Sequence, residues 1–206
     1  MFASTEELRA AILATEPALF VSRCIIEPIP YAFAGDAELW IDWKTRLAAH
    51  LEVDPYEIVL AGSGALGYSL NPHKGFSSFH SDSDIDVCVI SLYHFEAAWR
   101  YLRQTRSSWL SLPAKTRRSL DFHRKNYVFS GTIATDLILP LLPFGKRWQE
   151  GLDDMSVQPP TRGREVKLRI YRDYDALRAY QAEGVKSLRT ELLHIAEAEE
   201  EIPLQE

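Results

Sequence analysis

The stretch Ile58-Val59-Leu60-Ala61-Gly62-Ser63-Gly64-Ala65-Leu66-Gly67-Tyr68-Ser69, followed after a turn by Ser81-Asp82-Ser83-Asp84-Ile85-Asp86-Val87-Cys88-Val89-Ile90, decides the reading of the chain. An apolar run breaks at a glycine-serine bend. Acids at alternate positions then lead into a second apolar run. Short apolar runs bounded by turn residues read as buried strands. Along the second run Ile85, Val87 and Val89 point one way, and Cys88 and Ile90 the other. Both faces are apolar, which predicts a central strand covered on both sides. The same period of two puts Asp84 and Asp86 on one face.

Working outward, Ser4 with Glu7 reads as a capping box that opens an N-terminal helix over residues 4–16, closed by Pro17. Pro28, Pro30 and the residues to Gly35 read as loop. Asp36 caps a helix whose Leu39, Trp40, Trp43, Leu47 and Leu51 form one apolar stripe. Glu57 to Ala61 is a strand, and Asn71-Pro72-His73-Lys74-Gly75 a turn. Phe95, Ala98, Trp99 and Leu102 mark a helix. Residues 104–122 are mixed and basic. A strand is expected around Tyr127-Val128-Phe129, and loop from Gly151 to Gly163. Val166, Leu168 and Ile170 alternate and predict a strand over residues 165–171. Asp173 caps a final helix over residues 173–196, with Leu177, Gln181, Val185, Leu188, Leu192 and Ile195 on one stripe. The acidic end from Glu197 is expected to fray. No internal repeat is present. The pattern predicts one domain over residues 1–206, with a core at about 36–172.

The chain has 206 residues, 46% hydrophobic and 25% charged, which suits an ordinary globular domain. No apolar run is long enough to span a bilayer. The start, Met1-Phe2-Ala3-Ser4-Thr5-Glu6-Glu7, has no basic region of signal-peptide type. Cys24 and Cys88 form no metal-type spacing and predict free thiols in a cytoplasmic, reducing setting. The net charge of -6 argues against generic DNA binding. From Arg100 to Arg178, however, 16 Lys and Arg stand against 8 Asp and Glu. That asymmetry fits either a phosphate-bearing partner near one face or neutralisation of the acidic half.

The bend fits three phosphate patterns. Gly62-x-Gly64-x-x-Gly67 matches the dinucleotide fingerprint, but that motif needs an acid closing the next strand, and here the acids precede it. Gly62-x-x-x-x-Gly67 begins like a Walker loop, yet Tyr68 stands where lysine must reach the terminal phosphates. The third pattern uses both halves. A small-residue turn lets backbone N–H groups approach a triphosphate, with a helix start behind it. Two carboxylates on one face of a neighbouring strand are hard oxygen ligands suited to Mg2+, which also takes substrate phosphate oxygens. Ions held there can clamp a phosphoryl displacement.

Gly62-Ser63 followed by Ser83-Asp84-Ile85-Asp86-Val87 resembles the signature of the polymerase-beta-type nucleotidyltransferase superfamily. The close match covers residues 57–91. Pro30-Tyr31-Ala32-Phe33, Gly67-Tyr68-Ser69-Leu70-Asn71-Pro72, Gly131-Thr132-Ile133 and Arg169-Ile170-Tyr171-Arg172 look like a bacterial subgroup associated with antiphage defence. The resemblance implies an α+β fold with a mixed β-sheet flanked by α-helices, an NTP or dNTP held at Gly62 and Ser63, and Mg2+ on Asp84 and Asp86. It implies transfer of a nucleoside monophosphate to an acceptor hydroxyl with release of pyrophosphate. The acceptor stays open between nucleotide, oligonucleotide, RNA and protein, with room for an effector protein as a further partner. The superfamily usually adds a third acid on a later strand. Glu165 is the first candidate here and Asp136 the second. Their imperfect match keeps open a non-catalytic module of the same fold that binds nucleotides or a partner.

Among the remaining residues, Arg169 and Arg172 are read as ion-pair partners of the acidic half, with phosphate contact as the alternative. Lys74 and Asp82 read as solvated loop residues, His50 and His194 as surface or packing residues, and Trp40, Trp43 and Trp99 as core.

Overall fold

The computed structural model describes residues 2–136 and 138–200. Among these residues it is a mixed α/β arrangement of eight α-helices and four strands, with short 3-10 and π turns between them: α1 (Thr5–Ala14), α2 (Pro17–Val21), α3 (Ala37–Leu51), β1 (Ile58–Ala61), α4 (Gly62–Leu66), β2 (Ile85–Ile90), α5 (Leu92–Gln104), α6 (Ala114–Asn126), β3 (Thr132–Ala134), α7 (Gly145–Met155), β4 (Val166–Tyr171) and α8 (Tyr174–Glu200). The sheet order is β1-β2-β4-β3. β1 runs antiparallel to β2, β2 parallel to β4, and β3 antiparallel to β4. β2 is therefore central, as its two apolar faces require. Ile85, Val87, Cys88, Val89 and Ile90 are all buried, and Asp86 alone in the strand is open.

The helices close over this sheet through the stripes read from the sequence. Trp40, Trp43, Leu47 and Leu51 of α3 are buried, and Asp36 accepts the Leu39 N–H at the N-cap. The indole of Trp43 donates to Thr161 Oγ1 at 2.9 Å, which ties α3 to the approach of β4. Arg46 donates two hydrogen bonds to Asp154 of α7, at 2.6 and 2.8 Å. That fork holds the Asp154 carboxyl down at about 2. Leu177, Val185 and Leu188 of α8 are buried, whereas Ile195 is exposed because the helix outruns the body it packs on.

The structure departs from the sequence reading in several places, one of them Trp99, expected in the core but exposed on α5. Val128–Ser130 is a 3-10 turn where a strand was expected, and the strand begins only at Thr132, after Gly131 in the left-handed region. The mixed basic segment is largely helix, α6, held by its buried Leu120 and His123. α7 runs through Gly151, expected as loop. That glycine is a packing residue, since a Cβ on it would lie 2.6 Å from the Cβ of His50. Pro17 both ends α1 and opens α2, at the position where a missing N–H is harmless. The acidic end from residue 201 lies outside the described residues. No helix among the described residues is long and apolar enough to cross a membrane. Cys24 and Cys88 are free thiols.

Candidate functional site

The bend and the acids meet because of strand register. β1 and β2 pair so that Ala61 stands opposite Asp86. Gly62 follows with φ +64°, in the left-handed region open to glycine. A Cβ built on Gly62 would fall 2.5 Å from Asp86 Oδ2. Glycine is thus required twice, by its backbone angle and by a carboxylate where a side chain would begin. Gly67 closes the short α4 at φ +88°, and there a Cβ would meet the ring of Tyr31 at 2.8 Å.

Gly62→Ala should therefore shift the Asp86 carboxylate as well as strain the turn. The left-handed conformation costs about 1–2 kcal/mol for an L side chain. The expected result is a melting temperature lower by roughly 2–8 °C and divalent-ion affinity reduced at least about tenfold, read by Mn2+ titration. Unchanged ion affinity would show that Asp86 is not positioned through this contact.

The loop between bend and acids is fastened at both ends. Ser69 N–H donates to the Ser77 carbonyl and Phe79 N–H to the Gly67 carbonyl, at 2.9 and 2.8 Å. Arg164, just before β4, caps the carbonyls of His80, Ser81 and Ser83, and its guanidinium lies 4.2 Å from the centroid of the Phe79 ring. One terminal nitrogen of the guanidinium, Nη1, gathers three carbonyls of one loop. Asp84 leaves that loop directly into β2.

β4 supplies cations on the same face. Parallel pairing sets Asp86 beside Lys167 and Cys88 beside Arg169. Lys167 Nζ lies 2.7 Å from Asp84 Oδ2 and 3.2 Å from Glu165 Oε2. Its hydrogen bond to Asp84 is the main reason its pKa is raised. Arg169 donates to Tyr180 Oη at 2.5 Å, with its guanidinium 5.5 and 5.4 Å from the ring centroids of Tyr127 and Tyr180. Beyond β3, Thr135 Oγ1 donates to the Leu168 carbonyl, so the chain still follows β4. The pairing ends at Ala134 opposite Arg169, and Asp136 follows two residues later at the border of the same cleft.

These groups border a cleft of about 970 Å3. Gly62, Ser63, Asp84, Asp86, Lys167, Arg169 and Asp136 line it, with Lys74 and Asp82 from the loop and Tyr180, Glu183 and Ser187 from α8. The Asp86 carboxylate is open to the cleft yet lies against its floor. Burial there raises its pKa. Arg169 and Lys167 pull it back down, while Asp84 and Asp136 push it further up. Such a floor favours any ligand that brings positive charge to the carboxylates.

Of the residues singled out from the sequence, Gly62, Ser63, Asp84 and Asp86 come together. Glu165 does not border this cleft. Its exposed carboxylate lines a neighbouring hollow of about 670 Å3 towards α7, and Lys167 stands between it and Asp84. Asp136, the second candidate, borders both spaces. Arg172 is outside, exposed beside Asp173 at 3.7 Å. Lys167 and Tyr180 were missed. The signal for Lys167 was present, because Val166, Leu168 and Ile170 fix one face of β4 and leave Lys167 and Arg169 together on the other. For Tyr180 there was none, since only packing brings α8 over the sheet.

Among the described residues no three of His, Cys, Asp and Glu are grouped so as to hold a metal ion by themselves. Asp84 and Asp86 fit a hard cation that completes its coordination from water and phosphate, the habit of Mg2+. No family model, no curated protein and no solved structure matches the chain.

Proposed function

We propose that the protein is a Mg2+-dependent nucleotidyltransferase, taking a nucleoside monophosphate from an NTP or dNTP to an acceptor hydroxyl. The observation that carries this reading is the contact between bend and acid: a glycine that could bear no side chain, set against the carboxylate of Asp86. A triphosphate resting on the Gly62-Ser63 backbone is then within reach of a cation on Asp84 and Asp86. The cleft volume, near the top of the range for small-molecule sites, supports a nucleotide donor with a further group beside it.

The transfer forms a bond from the acceptor oxygen to the α-phosphorus, breaks the bond from that phosphorus to the bridging oxygen, and releases pyrophosphate. The hydroxyl proton passes to a carboxylate of the cluster and on to solvent. A bound Mg2+ supplies charge neutralisation on the phosphates and a lowered pKa at coordinated oxygen. The protein supplies placement. Gly62 and Ser63 offer backbone N–H groups, Asp84 and Asp86 hold the cation, and Arg164 keeps the loop before Asp84 in position. Arg169, clamped by Tyr180, presents a fixed guanidinium suited to phosphate oxygens.

Incubation with each labelled NTP and dNTP in Mg2+, alone and with tRNA or cell protein, tests this. Pyrophosphate release that stops on chelation, with label in a free oligomer, an RNA or a polypeptide, is the expected result and identifies the acceptor class. Saturable nucleotide binding without turnover under every condition would overturn the enzymatic reading in favour of a binding module.

A further inference from the structure

In an acid cluster that binds two divalent ions, carboxylates must surround both positions, because a dication next to a fixed positive charge is repelled. The face described above is built otherwise. Reading across the sheet at the level of Asp86, the order is Ala61, Asp86 and Lys167, and Asp136 lies just past the end of β3, the strand on the far side of β4. An ammonium thus stands in the middle of the acids. It is anchored by Asp84 at 2.7 Å and by Glu165 at 3.2 Å. Two residues further along the same strand face is a second fixed cation, Arg169, held by Tyr180. The strand neighbouring β2 therefore brings two positive charges to the site, while Glu165, the acid just before it, borders the other hollow.

Resting on the nucleotidyltransferase reading, we infer that the site takes a single divalent ion, on Asp84 and Asp86, and that Lys167 occupies the position of a second. Lys167 is a permanent counter-charge with hydrogen bonds to give, already desolvated in part and held in place by Asp84. In the proposed transfer its ammonium supplies fixed positive charge beside Asp86, and Arg169 on the same strand face takes phosphate charge. The pairing also explains why Glu165 is not the missing third acid. Its carboxylate anchors Lys167 from behind.

The test is the number of Mn2+ ions bound per chain, counted by equilibrium dialysis of the full-length protein. The α,β-methylene analogues of ATP, GTP, CTP and UTP are each supplied at saturation. The wild-type protein is expected to bind one ion. Lys167→Glu, which places a carboxylate where the ammonium stood, is expected to bind two and to keep a cooperative melt. Two ions in the wild type would overturn the inference and leave the proposed activity standing. One ion in a folded Lys167→Glu would overturn the assignment of Lys167 to the second position. No ion with any analogue would overturn the proposed activity itself. The wild-type count decides the central claim even where the variant fails to fold.

Discussion

Asp86→Asn is expected to lower the proposed nucleotide transfer by at least about a thousandfold while leaving the fold as stable as before, or more so. The two effects have one origin. Asp86 holds its charge on the floor of the cleft, where burial raises its pKa above the usual carboxylate value and Asp84 and Asp136 add repulsion. Arg169 and Lys167 offset only part of this. The folded state therefore disfavours the ionised carboxylate that the proposed chemistry needs. Asparagine keeps the size and removes the charge, so the fold loses a burden and the site loses the carboxylate proposed to hold the cation. Transfer rate and melting temperature measured on the same preparation check both halves. A variant that keeps its activity would end the role of Asp86 as a ligand. Lost activity together with a much lower melting temperature would recast Asp86 as a structural residue.

The second large effect concerns acid stability. His123 of α6 is buried, and its Nε2 accepts the Ala134 N–H at 3.0 Å, joining the basic helix to β3. Burial pushes its pKa from 6.5 down to about 4. In this window the unfolded chain binds a proton that the folded chain refuses. The stabilisation is fully present above pH 6.5 and is lost as pH falls towards 4, by an amount on the order of 3 kcal/mol. His123→Gln keeps an acceptor for the Ala134 N–H without a titrating group. Urea unfolding between pH 7 and pH 4 should show the wild type losing about 3 kcal/mol more than the variant over that range. Parallel pH profiles for the two proteins would mean that His123 is protonated in the folded state.

The acid pair and the cation pair differed in how easily they could be read. Asp84 and Asp86 stand before an apolar run and after a glycine-serine bend, so both their shared face and their neighbour were inferable from spacing. Lys167 and Arg169 share a face by the same period of two, and the alternation of Val166, Leu168 and Ile170 announced it. What spacing could not reveal was that this strand lies directly beside β2 and parallel to it. From the sequence Arg169 reads as an ion-pair partner of the acidic half and Lys167 is not singled out, although Lys167 stands beside Asp86. Which of Glu165 and Asp136 borders the cleft was beyond the reach of spacing for the same reason. Glu165 opens the right strand, but Lys167 holds it away from the cleft, while Asp136 arrives there from the sheet edge.

The amino-acid sequence determined the local items of this protein: the central strand, the caps and stripes of α3 and α8, the bend that only glycine can make, and the alternation that pairs side chains on a face. These follow from backbone geometry and burial over a few residues, which neighbours in the chain control. The tertiary structure alone decided the order β1-β2-β4-β3, the ammonium among the carboxylates, the closure of the cleft by α8, and the helical state of the segment around Gly151. Each of those depends on contacts between residues far apart in the chain. Their energies come from register and packing, quantities that no window of sequence contains.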